Sequence, residues 1–424
     1  MEREEYQDTE IGRIPKDWKV VRLGEVAEIR RKKTLSLRDL KEVAVIPMEL
    51  VPDNGFYADY TLRTLEEIKS FVYCETGDIL LAKITPSLEN GKQGVVPFGI
   101  PNGFAFATTE VFPITPKTIN REFLFYILKF SKFRDFIVAS MTGTTGRQRA
   151  SKDAVENLQI PLPPLPEQKK IAEILSAVDR AIEEADKAIE KTEKLKQGLM
   201  EKLLTEGIGH TDFQDTEIGR IPKDWKVVRL GEVCEKRGEV YLPSKSDKYK
   251  FVGLEHIFPG ERTVKNYAFD ADLKSSKFKF YPGDILYGKL RPYLDKAALA
   301  EFEGICSTDL LVLRCILDQV FPEFLVYILH TRRFIEYAIA TTAGTNHPRT
   351  SWKSVRDFPL PLPPLPEQKK IAEILMTVDR KMELLRKKRE LLRQVKKGLM
   401  EDLLTGRVRV LKLLGKEVEH GAVS

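Results

Sequence analysis

PLPPLPEQKKIAEIL occupies residues 161–175 and returns unchanged at residues 361–375. Its prolines cannot enter a helix interior, so each copy reads as a stiff connector with Pro166 or Pro366 placed for a first helical turn. A long helix is predicted to follow. In the first copy Ile171, Ile174, Val178, Ala181, Ala185, Ala188, Thr192, Leu195, Leu199 and Leu203 recur in alternating steps of three and four. In the second Ile371, Ile374, Val378, Met382, Leu385, Leu392, Val395, Leu399 and Leu403 follow a similar stripe with one seven-residue step. That is a heptad pattern. At 1.5 Å per residue, the stretch from Pro166 to Thr205 makes a rod of about 60 Å. Neither rod can bury its stripe alone, so an antiparallel coiled coil of the two is expected, with separate packing on each globular part as the alternative.

Working outward, QDTEIGRIPKDWKVVRLGEV runs from Gln7 to Val26 and again from Gln214 to Val233. GDILLAKITP at Gly77–Pro86 matches GDILYGKLRP at Gly283–Pro292. EFLFYIL at Glu122–Leu128 matches EFLVYIL at Glu323–Leu329, and GTTGRQRAS at Gly143–Ser151 matches AGTNHPRTS at Ala343–Ser351. The chain is therefore one unit of about 200 residues written twice. Length differences fall between Val26 and Gly77 and between Pro86 and Glu122. A shared frame with divergent loops suggests one kind of job done on two targets, against the plainer alternative of drift after duplication.

Before each connector the sequence reads as mixed α and β. VAVIPM, GDILLAKI and TEVFPI are strand-like runs bounded by Gly, Pro and Asn. A single helix is predicted over EFLFYILKFSKFRDFIVAS, with Phe123, Ile127, Phe130, Phe133 and Ile137 as its core stripe and Phe324, Ile328, Phe334 and Ile335 as the counterparts. The fold class expected is α+β: two tandem globular domains of mixed α and β structure, joined by two long helices in an antiparallel coiled coil with pseudo-two-fold symmetry. The boundaries expected are a first domain at 1–160, a first spacer helix with its proline-rich entry at 161–207, a second domain at 208–360, a second spacer helix at 361–410 and a tail at 411–424.

Lys plus Arg number 69 against 63 Asp plus Glu, a net charge of +6 that permits a polyanionic partner without requiring one. Four cysteines with no CxxC spacing suggest a reduced, cytoplasmic protein, and neither a secretory signal nor a long apolar run appears. No GxxxxGK[ST] loop, HExxH or GxSxG is present, and the histidines form no metal spacing. No [DNS]PP[YFW] tetrapeptide occurs. Catalysis, a metal and a bound cofactor are not expected in this chain.

PLPPLPEQKKIAEIL opening a long helix after each of two divergent globular parts, with GTTGRQRAS ahead of it and WKVVRLGEV near the start of each unit, resembles the specificity subunit of type I restriction-modification enzymes. The resemblance covers essentially the whole chain. It implies a non-catalytic DNA-reading subunit whose two domains each read half of a bipartite double-stranded target, with the helices setting the spacer. It also implies two adenine-N6 modification subunits as partners, docked on the helical region, and restriction subunits as a further set. S-adenosylmethionine, ATP and Mg would belong to those partners.

Direct readout needs Arg, Lys, Asn or Gln at base edges, with further basic and hydroxyl groups on phosphates. The glycine-flexed loop after Gly143 offers Thr144, Thr145, Arg147, Gln148, Arg149 and Lys152. Its counterpart offers Thr345, Asn346, His347, Arg349 and Lys353. Lys83 and Lys289 match after the GDIL strand, and Arg291 is added in the second copy. Positions shared by the copies are expected to hold phosphates and differing ones to specify sequence. A solvated charge or a contact with a partner subunit is the competing reading for each. Tyr57, Tyr60 and Tyr267 in the divergent loops are read as packing residues, with base contact as the alternative. Two other functions stay open: a stand-alone nucleic-acid-binding adaptor, and a coiled-coil scaffold without methyltransferase partners.

Overall fold

The computed structural model describes residues 6–30, 40–68, 70–144, 146–242, 249–269, 275–344 and 346–411. Thr145, Thr345 and the expected tail beyond Leu411 lie outside the described residues. Six helices of eight residues or more occur among those described: α1 (Arg121–Lys129), α2 (Ser131–Ala139), α3 (Leu165–Leu203), α4 (Pro322–Leu329), α5 (Arg332–Ala340) and α6 (Leu365–Leu404). The chain forms two compact units, residues 1–186 with 387–424 and residues 187–386. Each therefore holds one globular part, the first half of one rod and the second half of the other.

In the first unit the apolar run Glu42–Ile46 lies in a four-stranded sheet between Thr61–Thr64 and Phe104–Thr108, with Phe71–Glu75 at the far edge. Phe104–Thr108 is parallel to Glu42–Ile46 and antiparallel to Phe71–Glu75. A second, wholly antiparallel sheet orders Ala27–Ile29, Val111–Pro116, Ile79–Ala82 and Gln93–Val95. Ile79–Ala82 is buried at every position, which explains its unbroken apolar run. The Asp that precedes it in the GDIL motif, Asp78, is buried and takes a forked pair of hydrogen bonds from Arg30 at 2.5 and 2.8 Å. The second unit repeats this with Asp284 and Arg237, at 2.8 and 3.1 Å. Its sheets order Cys234–Lys236, Leu310–Cys315, Ile285–Gly288 and Ala297–Leu299, and a five-stranded sheet in which Lys277–Phe280 and Lys250–Val252 flank Gly304–Cys306.

The aromatic stripe is core, as its spacing implied: Phe123, Ile127, Phe130, Phe133 and Ile137 are all buried. The single helix expected there is two. Phe130 takes φ −72°, ψ 123°, closing α1 and opening α2, so the stripe turns a corner around its own buried ring. Asn120 caps α1 by accepting from the Phe123 amide at 2.8 Å. In the second copy Thr331 does this for α5, and Ala338 takes the buried place expected of Ile335, which is half-buried.

The connector is more than a spacer. Gln159–Leu162 pairs antiparallel with Lys19–Arg22, with Pro161 opposite Val20 in a two-stranded ladder where an edge proline loses nothing. Two residues later α3 begins. Glu167, at its head, is fully buried and accepts from Trp18 Nε1 at 2.9 Å and from Arg409 Nε at 2.8 Å. Arg409 also reaches Asp17 at 2.7 Å. The neighbouring Gln168 accepts from the Asn120 amide and donates to the Pro163 carbonyl, both at 2.8 Å.

The rods run antiparallel. In the first unit Asp179 meets Lys396 at 2.6 Å and Asp186 meets Arg389 at 3.0 Å, the numbers rising in one helix as they fall in the other. In the second unit Lys196 meets Asp379 at 2.7 Å and Glu193 meets Arg386 at 3.1 Å. One expected layer of the seam is wrong. Leu195 and Val395 are 50% and 51% exposed, while the adjacent Lys196 and Lys396 turn inward. The reason is a carboxylate already there: Tyr126 donates to Asp179 at 2.8 Å and Tyr327 to Asp379 at 2.6 Å. A largely buried Tyr–Asp pair calls for a cation, and a lysine stem supplies apolar packing on the way.

Replacing Lys396 with Ala is expected to lower unfolding free energy by about 1 to 3 kcal/mol, because Asp179 loses its cation while staying largely buried. Leu195→Ala should change it by less than about 0.5 kcal/mol. Denaturant unfolding monitored by circular dichroism compares the two.

Candidate nucleic-acid interface

Each unit presents a small hairpin beside the end of the GDIL strand. In the first, Thr142 and Arg149 exchange backbone hydrogen bonds at 2.9 and 3.0 Å, and Ala150 donates to the Lys83 carbonyl at 2.8 Å. Gly143 makes the turn at φ +133°, where an added Cβ would stand 2.6 Å from the Arg147 carbonyl oxygen. Only glycine fits. The hairpin is thereby pinned to the strand that carries Lys83.

Pinning brings Lys83 and Arg149 together over Glu110. Arg149 Nη2 lies 2.7 Å from Glu110 Oε1, and the Lys83 amide donates to the Glu110 carbonyl at 3.0 Å. Burial pulls the Lys83 ammonium below its usual range. Glu110 opposes that shift and Arg149 adds to it. The Lys83 ammonium also sits 5.1 Å from the Phe112 ring centroid. Thr144 and Arg147 stand exposed at the hairpin tip, and Gln148 is half-buried with its carbonyl held by the Thr85 amide at 3.1 Å. Lys152 is not part of this cluster. It opens the one-turn helix Lys152–Glu156 and pairs with Glu156 at 3.2 Å.

The second unit repeats the arrangement with different tips. Arg349 bridges to both Ala343 and Leu290, and its Nε donates to Asp309 at 3.1 Å. The Lys289 amide donates to the Asp309 carbonyl and the Thr350 amide to the Lys289 carbonyl, both at 3.0 Å. Asn346 and His347 are exposed at the tip, and Lys353 is exposed in the short helix Trp352–Val355. Arg291, at the position of Thr85, adopts φ +52° and donates its amide to the Pro348 carbonyl at 2.8 Å. A left-handed arginine costs about 1 kcal/mol or more, and such strain concentrates at functional surfaces. Here it holds an exposed guanidinium beside the hairpin.

The sequence reading missed Glu110 and Asp309. Their signal was present: each ends a Thr–Glu or Ser–Thr–Asp run just before an apolar strand, Val111–Pro116 or Leu310–Cys315. Each carboxylate engages one edge of its arginine and leaves the rest of the fork open, so the guanidinium is aimed and still available to phosphate. Tyr57, at 50% exposure, packs edge-on against Phe56 and Phe98, and Tyr267 packs against Phe269 and Phe302.

Among the described residues the one group with metal-ligand composition is His210, Asp224 and Glu367 in the second unit. No histidine spacing in the sequence marked it. His210 Nε2 lies 2.7 Å from Glu367 and Nδ1 3.4 Å from Asp224, so each ring nitrogen faces a different carboxylate. Arg409 occupies the corresponding place in the first unit, against Glu167 and Asp17. In both units two carboxylates clasp a nitrogen-bearing side chain, His210 in one and Arg409 in the other. Cys74, Cys234, Cys306 and Cys315 are free and buried, and burial pushes the Cys306 and Cys315 thiols up to about 12.

The type I restriction modification DNA specificity domain profile matches twice, at residues 15–191 and 222–394. The type I restriction enzyme MjaVIII specificity subunit of Methanocaldococcus jannaschii is 33% identical over 95% of both chains. The EcoDI specificity subunit of Escherichia coli is 25% identical over 85% of this chain and 81% of its own. Among solved structures, a chain from a type I restriction-modification system aligns over 93% of this chain and 99% of its own at TM-score 0.56 and 20% identity. The S subunit of such a system from M. genitalium covers 91% of this chain and 96% of its own at TM-score 0.56 and 17% identity. These two likenesses support the fold.

Gly143→Ala should open the hairpin locally, at a cost of about 1 to 3 kcal/mol. The expected sign is faster hydrogen exchange at the Arg149 amide, with exchange in the α3 core unchanged.

Proposed function

Because the chain belongs to the type I restriction-modification DNA specificity family, we propose that it is the non-catalytic subunit that reads DNA for an adenine-N6 methyltransferase and restriction complex. Each globular part reads one half of a bipartite site, and the paired rods set the spacer and dock two modification subunits. Restriction subunits join the same assembly. S-adenosylmethionine, ATP and Mg are supplied on those partners.

The observation that carries this reading is the duplicated hairpin. Arg149 on Glu110 and Arg349 on Asp309 are the same device in both copies, whereas the tips differ: Thr144, Arg147 and Gln148 against Asn346, His347 and Pro348. Constant cations suit phosphates, which are alike everywhere, and variable tips suit base edges, which are not. Lys83 and Lys289 join the constant group, Arg291 in the place of Thr85 belongs with the differing positions, and Lys152 and Lys353 are flanking phosphate contacts. Thr145 and Thr345 belong to the tips by sequence.

Co-expression with a modification subunit in an unmethylated host, followed by genome-wide mapping of N6-methyladenine, should yield a bipartite motif with one methylated adenine in each half. Exchanging residues 27–150 for those of a relative should alter one half alone. Unmethylated DNA despite a folded complex would leave the adaptor or scaffold reading. Adding one heptad to both rods should lengthen the spacer by about three base pairs, from roughly 10.5 Å of helix against 3.4 Å per step.

Arg149→Ala should weaken duplex binding to all sequences alike and lower the salt dependence by about one counterion. Arg147→Ala should instead relax the preference at one position of the site. Binding isotherms across a salt series and a panel of single-base variants separate the two effects.

A further inference from the structure

We propose that the first unit carries a binding cavity for a phosphorylated small molecule of nucleotide size, built between the α1–α2 corner and the second half of α6. The cavity measures about 640 Å³, within the range of small-ligand sites. Phe130, Ile182 and Met400 give it apolar walls, while Arg134, Arg393 and Lys397 line it with positive charge.

Its charge is unbalanced. Six cations line it, Lys129, Arg134, Arg393, Lys396, Lys397 and Arg407, against two carboxylates, Asp179 and Glu401. Lys396 is held by Asp179 at 2.6 Å and Arg407 by Asp402 at 2.5 Å. Arg393 and Lys397 have no carboxylate partner among the described residues. Arg134 keeps a buried Nε without a hydrogen-bond acceptor, with the Asp135 carboxylate 3.8 Å away, and its Nη1 donates to the Lys129 carbonyl at 3.1 Å. Lys129 is driven down to about 8 by burial and then by Lys396 and Arg134, which Asp179 and Asp53 only partly offset. Crowded cations of this kind are relieved by an anion.

The frame does not require them. In the other unit the places of Lys129, Arg134, Arg393 and Lys397 are held by His330, Ile335, Glu193 and Gln197, and the same corner and rods are built. Two exchanges run the other way, Ser131 to Arg332 and Gln394 to Lys194. Both of those cations are already paired one turn away, Arg332 with Glu336 at 2.6 Å and Lys194 with Glu190 at 2.7 Å. Surplus positive charge in one copy alone is a property of function and not of folding. Its concave, partly apolar form suits a compact phosphate ester with an organic body. Guanidinium forks take phosphate oxygens in pairs, which gives Arg393 and Arg134 their roles.

The test is calorimetric titration of the full chain at low salt with ADP, inorganic pyrophosphate and adenosine. ADP and pyrophosphate should bind at one site per chain, and adenosine should bind at least about tenfold more weakly, as expected when charge-assisted hydrogen bonds are lost. The double charge reversal R393E/K397E should lower ADP affinity by about tenfold or more, with R393Q/K397Q as the milder form. Both positions are exposed, so the melting transition should hold. Lys194→Glu in the other unit should change nothing. Absence of ADP and pyrophosphate binding, or equal binding by parent and double variant, overturns the proposal. It also falls if duplex DNA displaces ADP and the double variant loses duplex affinity, since the cavity would then be a contact for the DNA backbone.

Discussion

Everything in this fold hangs on burying a carboxylate at the head of each rod. Glu167 and Glu367 are withdrawn from water, and an uncompensated buried carboxylate costs several kcal/mol. Each is answered by an indole from the repeated WKVV strand, Trp18 or Trp225, and by a nitrogen-bearing side chain, Arg409 or His210, that arrives after the opposite rod has ended. Arg409, just beyond α6, closes on Glu167 at the start of α3. His210, just beyond α3, closes on Glu367 at the start of α6. A rod whose head is capped by the segment following the other rod's tail can only lie antiparallel to it. Gln168 and Gln368 complete the joint by tying the proline connector to the start of the aromatic helix, through Asn120 or Phe321.

The polar layer deeper in the coiled coil follows the same logic. A Tyr–Asp–Lys set occurs in both units, Tyr126–Asp179–Lys396 and Tyr327–Asp379–Lys196. Burial holds both phenols in their protonated, donating form, with the neighbouring carboxylate reinforcing the effect. Apolar layers tolerate sliding because one leucine resembles the next, whereas a charged triad is satisfied in a single register.

On that frame the hairpin surface of each unit divides into what is held and what is free. Asp78 with Arg30, Glu110 with Arg149 and the glycine turn at Gly143 are fixed by close packing or paired charge, and each has a partner device in the other copy except where the loops diverge. Among the described residues, the tip side chains Thr144, Arg147, Asn346 and His347 are exposed. Change can therefore accumulate at Thr144, Arg147, Asn346 and His347 without disturbing the cores beneath.

The duplication, the strand and helix content, the aromatic cores and the antiparallel rods were legible in the sequence, because identity at fixed offset and apolar periodicity survive without knowledge of any contact. So were Lys83, Arg149, Lys289 and Arg349 as matched cations. Four things were decided only in three dimensions. Phe130 breaks a helix whose periodicity runs straight through it, since a buried ring at the corner packs both halves. Lys196 and Lys396 displace Leu195 and Val395 from the seam, since the partner of a half-buried aspartate lies on another helix. Glu110 and Asp309 aim the arginines from turns some 40 residues away in the chain. The surplus charge around Arg393 and Lys397 becomes a cavity only when α6 returns to the first unit. Periodicity along a chain records which face is buried, and it holds no record of which distant charge will stand opposite.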